Sequence, residues 1–232
     1  MKERGMIFNA EMVLAVLDDS KTQTRRIMTV QPDSPNFGLL RITDSTKSAD
    51  IGKYHWAESN ATGTHARSPL FSCPFGAVGD RLWVRETFRV HSRATDVATL
   101  VYKASEQQSW TQQTHRVPIE MCNKPAVVDK WTPSIHMPRW ASRITLEITG
   151  VRVEQLNDIS EEDAAAEGVG SAVWFAGKGV PEEHWTSLGE LGAQKAYHLN
   201  SFATLWESIY GADSWQGNPW VWVIEFKRVE GD

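Results

Sequence analysis

The spacing of apolar residues predicts a short strand and then a helix at the start of the chain. Met6-Ile7-Phe8 is a compact apolar run, typical of a short strand. From Ala10 to Leu17, apolar side chains recur every three to four positions, as on one face of an amphipathic helix. Asn9 precedes this run and is the predicted N-cap, because its side-chain oxygen can accept a backbone N–H of the first turn.

Three later segments have the composition or alternation of β-strands. Arg81–Phe88 follows the turn signal Gly79-Asp80, and Leu100–Lys103 is predicted to pair with it. Arg143–Val153 alternates apolar and polar residues, with one irregularity expected near Gly150. The last predicted strand is Trp220–Phe226.

Two further helices are predicted in the second half of the chain. Ser160 is the expected N-cap of the first, which runs to Glu167 and ends at Gly168. The second helix, Phe202–Tyr210, places its large apolar side chains on one face.

Three stretches lack such patterns and are predicted to be long loops or insertions, at about 31–75, 104–130 and 169–198. Short strands separated by insertions, with few helices, favour a small β-barrel with flanking helices over alternating βαβ units. We therefore expect one α+β domain that covers residues 1–232.

The composition of the chain limits the classes of ligand and the cellular location that we expect. The net charge of −5 over 232 residues argues against a broad, sequence-independent grip on duplex nucleic acid, but leaves room for a small basic pocket. Cys73 and Cys122 form no CxxC motif, and the histidines do not cluster, so we expect no metal site and no cofactor. No apolar run approaches 18 residues, which predicts a cytoplasmic protein with no membrane partner.

The segment Lys21-Thr22-Gln23-Thr24-Arg25-Arg26 is the strongest candidate for chemistry. In a helical turn, Lys21 and Thr24 would share a face with Cβ atoms about 5–6 Å apart, whereas in a strand they would face opposite ways. A threonine hydroxyl beside a lysine base can become a nucleophile if burial lowers the lysine pKa from about 10.4. The alternative is an exposed basic loop.

Several motifs together resemble the ASCH domain family, which has a PUA-like barrel fold. They are Lys21-Thr22-x-Thr24-x-Arg26 after a strand and a helix, Gly79-Asp80-x-Leu82, the helix start Ile159-Ser160-Glu161, and the closing strand Val223–Lys227. The match covers about half of the chain in separate blocks. The block Trp131–Arg143, which the small family members lack, makes the chain similar to the longer family members of phages and prophages.

The resemblance implies a function and a set of residues. Small bacterial members of the family remove the acetyl group from N4-acetylcytidine with a lysine, a threonine three residues later, and a glutamate. Carried over to this chain, the catalytic residues are Lys21, Thr24 and Glu167, which lies six residues after Glu161. Arg26 matches a family arginine and is expected to bind substrate.

Two further residue pairs have no counterpart in the small enzymes. Arg139 and Trp140 suit phosphate binding and base stacking, but Trp140 could equally pack beneath an extended segment. Arg85 and Glu86 would bind substrate if Glu86 accepted a hydrogen bond from an exocyclic amine, or they could form a structural ion pair.

The sequence thus predicts that a nucleotide, modified nucleoside or RNA binds around Lys21, Thr24 and Arg26, with or without amide hydrolysis of an N4-acylated cytidine. Three alternatives stay open: a non-catalytic RNA-binding module, a metal-independent ribonuclease, and a phage accessory protein that binds a host protein through the acidic segment 154–190.

Overall fold

The computed structural model describes residues 1–58, 67–170 and 197–229. In chain order its strands are β1 (Glu3–Ile7), β2 (Gln23–Ile27), β3 (Phe37–Arg41), β4 (Tyr54–Glu58), β5 (Arg81–Arg85), β6 (Phe88–Arg93), β7 (Val97–Tyr102), β8 (Thr114–Pro118), β9 (Thr145–Gln155) and β10 (Trp220–Arg228). The α-helices are α1 (Ala10–Leu17), α2 (Trp110–Gln113), α3 (Glu161–Ala166) and α4 (Tyr197–Tyr210).

The predicted helix caps are confirmed. Asn9 Oδ1 accepts the Met12 N–H at 2.8 Å at the start of α1. Ser160 Oγ accepts the Asp163 N–H at 3.1 Å at the start of α3. Gly168 follows α3 with a φ of +82°, a left-handed conformation that glycine adopts without steric cost.

The largest sheet has five strands in the order β1-β5-β9-β10-β2. β1 runs parallel to β5, and every other neighbouring pair in this sheet is antiparallel. The irregularity expected near Gly150 is confirmed, because the β9–β10 register shifts between Glu225 and Phe226, which pair with Gly150 and Ile148. The predicted strands at 143–153 and 220–226 are therefore both present.

Among the described residues this sheet is open, so they form a mixed α+β fold without the closed barrel that we expected. Its edge strands β1 and β2 are linked by a side chain: Arg26 Nη2 donates to the carbonyl of Ile7 at 2.8 Å. The Ile7 carbonyl of β1 therefore accepts a hydrogen bond from a side chain of β2, where a closed barrel would pair the two strands through their backbones.

The interpretation of residues 31–75 as loop was wrong in part. β3 and β4 form an antiparallel hairpin there. Trp56 on β4 has an exposed fraction of 0%, and its ring lies 5.0 Å from that of Trp220. Burial of these aromatic side chains on the main sheet stabilises a hairpin whose own sequence pattern is weak.

The predicted strand Arg81–Phe88 is two strands. β5 ends at Arg85, and β6 begins at Phe88 and joins a three-stranded antiparallel sheet, β6-β7-β8. The segment near Leu100 does pair with it, but through β6, where Phe88 lies opposite Tyr102. Because β8 and α2 lie within 104–130, that insertion also contains regular structure.

Two separate clusters of buried apolar side chains support these sheets. The first packs α1 and α4 against the five-stranded sheet, and the second packs β6 and β7 against Met137 and Ala141. Most of the predicted insertion 169–198 lies outside the described residues. In the part of the chain that is described, no helix has the length and apolar character needed to span a bilayer.

Candidate functional site

Lys21 and Glu167, which lie 146 residues apart in the sequence, are in direct contact. Lys21 Nζ donates to Glu167 Oε2 at 2.6 Å and to the Glu167 carbonyl at 2.8 Å. Both side chains have an exposed fraction of 0%. Two of the three catalytic residues implied by the family resemblance are therefore in direct contact.

Backbone contacts fix this pair. Lys21 forms an antiparallel bridge with Glu167, and the neighbouring Thr22 N–H donates to the Ala166 carbonyl at 2.9 Å. Gly168 lets the two segments approach: a Cβ there would lie 2.9 Å from Lys21 Cβ and 2.6 Å from Ala15 Cβ. The end of α3 and the two residues that precede β2 are thus paired through their backbones.

The helical turn that would have placed Lys21 and Thr24 on one face is absent. Residues 23–27 form β2 instead, which pairs with β10 through Thr24 and Ile224. In a strand, successive side chains alternate between faces. Gln23 and Arg25 point toward Asp163, whereas Arg26 points toward Ile7.

Arg25 is the residue that the sequence reasoning missed. Its Nη1 donates to Glu167 Oε1 at 3.2 Å and its Nη2 to Asp163 Oδ2 at 2.9 Å, and Nη2 also contacts Glu154 Oε1. The Arg25 side chain has an exposed fraction of 0%. A strand assignment for 23–27 would have separated Arg25 from Arg26 by alternation.

The ionic network continues outward to the surface of the sheet. Arg152 Nη2 donates to Asp163 Oδ2 at 2.6 Å and Arg152 Nε to Glu154 Oε2 at 3.3 Å, while Nη1 contacts Glu225. The Arg152 side chain is 35% exposed, whereas the Lys21 side chain is fully buried. The network therefore extends from the interior of the protein to its surface. Hydrogen bonds and charge from its partners are what allow Arg25 and Lys21 to remain buried.

The electrostatics of the inner pair suit a proton acceptor. Burial lowers the pKa of Lys21; the Glu167 carboxylate works against this shift, and the charges of Arg26 and Arg25 add to it. A lysine amine must lose its proton to act as a base near neutral pH. Burial together with two nearby guanidinium groups moves Lys21 in that direction.

Thr24 is buried on the same segment. Its exposed fraction is 1%, and its Oγ1 has no hydrogen-bond partner within the described residues. A buried hydroxyl without a partner costs stability and needs an explanation. Among the described residues this hydroxyl contacts neither Lys21 nor Glu167, so the Lys21–Glu167 pair forms without Thr24.

Arg26 lies near the pair but has a different partner set. Its guanidinium carbon is 5.5 Å from the Phe8 ring centroid, and Lys21 Nζ is 5.8 Å from the same centroid.

A cleft of about 280 Å³ opens beside Lys21 and is lined also by Thr22, Lys227 and Arg228.

Arg85 and Glu86 do not form the ion pair considered from the sequence. Arg85 contacts the Ile135 carbonyl, whereas Glu86 accepts both Arg143 Nε at 2.9 Å and Nη2 at 3.0 Å. Burial raises the pKa of Glu86, and the hydrogen bonds and charge of Arg143 oppose that shift. β5 ends at Arg85, so Glu86 lies outside the strand. The two side chains contact different partners.

Arg139 and Trp140 also separate. Arg139 Nε pairs with Glu3 at 3.0 Å. The Trp140 ring packs edge-on against Phe88, with centroids 6.2 Å apart, beside the second apolar cluster. This is the packing alternative for Trp140, and the two residues do not join the Lys21 site through any of these contacts.

Comparison of the chain with protein-family models, with characterised proteins and with solved structures finds no match.

Proposed function

We propose that the chain is an amidohydrolase that acts on an N-acylated nucleoside or nucleotide, with Lys21, Thr24 and Glu167 as its catalytic set. The observation that carries the proposal is the fully buried contact of Lys21 Nζ with Glu167 Oε2 at 2.6 Å. Burial of an amine whose pKa is lowered is a common arrangement at catalytic sites.

The chemistry assigns one role to each residue. Lys21 rests as an ammonium paired with Glu167, and its lowered pKa makes the neutral form accessible. The neutral amine accepts the hydroxyl proton of Thr24 through a bound water, because the two side chains are not in contact, as Oγ1 bonds to the acyl carbon. The C–N bond then breaks, and Lys21 returns the proton to the leaving amine. Water next hydrolyses the acyl-threonine ester, which releases a carboxylic acid and restores the Thr24 hydroxyl.

Glu167 and Arg25 act as positioning residues in this scheme. Glu167 holds the Lys21 amine through two hydrogen bonds, and Arg25 holds the other oxygen of the Glu167 carboxylate. The Thr24 hydroxyl has no hydrogen bond that its attack on the acyl carbon would have to break.

The nucleoside class of substrate rests on the resemblance to the ASCH family. In this proposal the open five-stranded sheet corresponds to the PUA-like fold, and Arg26 near Phe8 contributes to substrate binding. The acylated amine of cytidine is the matching substrate chemistry.

The test is hydrolysis of N4-acetylcytidine by the purified chain, followed as release of cytidine and acetate. Thr24→Val should abolish release because it removes the nucleophile at constant shape, whereas Thr24→Ser should retain part of the activity. Lys21→Met should also be inactive. Full activity of both Thr24→Val and Lys21→Met would contradict the proposal.

A non-catalytic nucleoside- or RNA-binding module is the second candidate. The complete burial of Lys21 and Glu167 favours it, because a fully enclosed ion pair also serves as a structural element beside a binding cleft. Saturable binding without turnover, weakened by Lys227→Ala at the cleft beside Lys21, would support this module instead.

A further inference from the structure

A second cleft, on a different sheet from the Lys21 site, has the composition of a phosphate-binding pocket. Its volume is about 290 Å³. β6 contributes Arg89, and the segment that follows β8 contributes Lys124, Lys130, Trp131 and His136. This volume lies near the lower end of the range for small-molecule pockets, about 300–1,000 Å³, which suits one nucleotide and excludes a duplex.

The wall of this cleft is held in place by the backbone. Val127 N–H donates to the Val90 carbonyl at 3.0 Å, and Thr132 N–H donates to the Phe88 carbonyl at 2.7 Å. Arg93 Nη1 donates to the Lys124 carbonyl at 2.6 Å. The segment 124–132 therefore follows β6 as a fixed rim, so its side chains are positioned before any ligand binds.

The charge of the lining is one-sided. Arg89, Lys124 and Lys130 line the cleft, and no acidic residue does so in the part of the chain that the structure describes. Within the same described part, these three cations form no ion pair, in contrast to Lys21, Arg25 and Arg152. A concentration of unneutralised positive charge in a chain of net charge −5 marks a site for an anion.

Arg89 is oriented by an aromatic ring. Its guanidinium carbon lies 4.7 Å from the Trp131 ring centroid, a cation–π contact. Its Nε is buried and has no hydrogen-bond partner among the described residues. The ring supports the guanidinium, whose Nη1 and Nη2 groups form no hydrogen bond among the described residues, so this pair of donors can bind a phosphate.

We propose that this cleft binds a nucleotide unit, with its phosphate on Arg89, Lys124 and Lys130. The base lies against Trp131 and the apolar wall formed by Pro125 and Pro133. The unit is either a free mononucleotide or one nucleotide of a single strand, since both present the same phosphate and base.

Calorimetric titration of the purified chain with 5′-CMP tests the proposal, with cytidine and inorganic phosphate titrated separately. We expect 5′-CMP to bind saturably and more tightly than either part, with affinity falling as salt concentration rises. A short uridine oligonucleotide that binds at least as tightly as 5′-CMP identifies a single strand as the source, and weaker binding identifies the free nucleotide. No binding of 5′-CMP, or equal binding of inorganic phosphate, would overturn the proposal.

Three variants locate the site. Arg89→Lys keeps the charge but loses the two-pronged donor edge, and Lys130→Glu reverses a charge that is exposed and unpaired. Each should weaken 5′-CMP binding roughly ten- to a hundredfold, the range expected for loss of a hydrogen bond to a charged group. Lys47→Glu, at an exposed lysine of the β3–β4 segment, is the matched control and should leave binding within about twofold. Unchanged binding in both Arg89→Lys and Lys130→Glu would exclude this cleft.

Thr24→Val separates the cleft from the proposed amidohydrolase site. This variant should bind 5′-CMP as the unmodified chain does, because Thr24 does not line the cleft. A parallel loss of 5′-CMP binding in Thr24→Val would place the nucleotide at the Lys21 site and overturn the second site, whatever the outcome for hydrolysis.

Discussion

Lys21 and Glu167 are paired twice, once through their side chains at 2.6 Å and once through an antiparallel backbone bridge. The double pairing joins the segment after α1 to the C-terminal end of α3, which are 146 residues apart in the sequence. Because both the side chains and the backbones of these residues are paired, the ion pair has little freedom to rearrange. Its removal should lower the stability of the fold as well as the proposed hydrolytic activity.

Glu167→Gln should destabilise the fold strongly. The substitution keeps the shape of the side chain but leaves the Lys21 ammonium buried without its carboxylate. Breaking a buried ion pair by removing one charge costs about 3–5 kcal/mol. Urea denaturation measures the free energy of unfolding. Glu162→Gln, at an exposed position of the same helix α3, is the control and should change it by less than about 0.5 kcal/mol. Equal effects of the two substitutions would show that the inner pair does not stabilise the fold.

Gly168→Ala should destabilise the fold more than Gly211→Ala. Both glycines have a positive φ, +82° and +98°, so alanine is strained at either position by about 1–2 kcal/mol. Only at Gly168 would the new Cβ also meet other atoms, 2.6 Å from Ala15 Cβ and 2.9 Å from Lys21 Cβ. Overpacking adds roughly 1–3 kcal/mol. Thermal unfolding of the two variants gives the difference, and a similar loss in both would show that the close approach at Gly168 is not tight.

Thr24→Val should leave the stability of the fold unchanged or raise it by about 1 kcal/mol, because it removes a buried hydroxyl that has no hydrogen-bond partner in the described structure. Valine is similar in shape and equally suited to a strand. Thr22→Val, two residues away at an exposed position, is the control and should have no measurable effect on the free energy of unfolding. A loss of about 2 kcal/mol in Thr24→Val would mean that the hydroxyl does have a partner in solution.

The pH dependence of stability should reveal the outer part of the ionic network. Burial acts to raise the pKa of Asp163, but the hydrogen bond from Arg25 and the charges of Arg152 and Arg25 outweigh it, so the pKa lies below its ordinary value. A carboxyl with a depressed folded pKa contributes stability above its unfolded pKa of about 3.9, and that contribution is lost as pH falls through the folded pKa.

Asp163→Asn isolates this contribution. The free energy of unfolding should be lower in the variant than in the unmodified chain above about pH 5, by a constant amount, and the two curves should converge as pH falls below about 4. A difference that stays constant down to the acid transition would show that the charge of Asp163 does not stabilise the fold.

Much of the local structure follows from the sequence because it depends on neighbouring residues. The N-caps Asn9 and Ser160 satisfy orphan N–H groups of their own helices. The irregularity at Gly150 follows from a break in alternation within one strand. The hairpin β3–β4, by contrast, depends on contacts of Tyr54 and Trp56 with β10, which no local pattern encodes.

The candidate site shows the same division. The sequence, through its resemblance to a family, placed Lys21 and Glu167 in one set, and the structure brings them into contact. The strand conformation of 23–27 then selected Arg25 rather than Arg26 as the partner of Glu167, because alternation turns these neighbours to opposite faces.

The sequence by itself determined the capped starts of α1 and α3 and most of the strands of the main sheet, since each follows from periodicity or capping over a few residues. It placed the start of α4 at Phe202, five residues after the observed start at Tyr197. Only the tertiary structure decided which charges are paired and which are left free. Burial and ion pairing depend on contacts between residues that are far apart in the chain. These contacts enclose Lys21 in an ionic network, whereas Arg89, Lys124 and Lys130 line a cleft without acidic partners among the described residues.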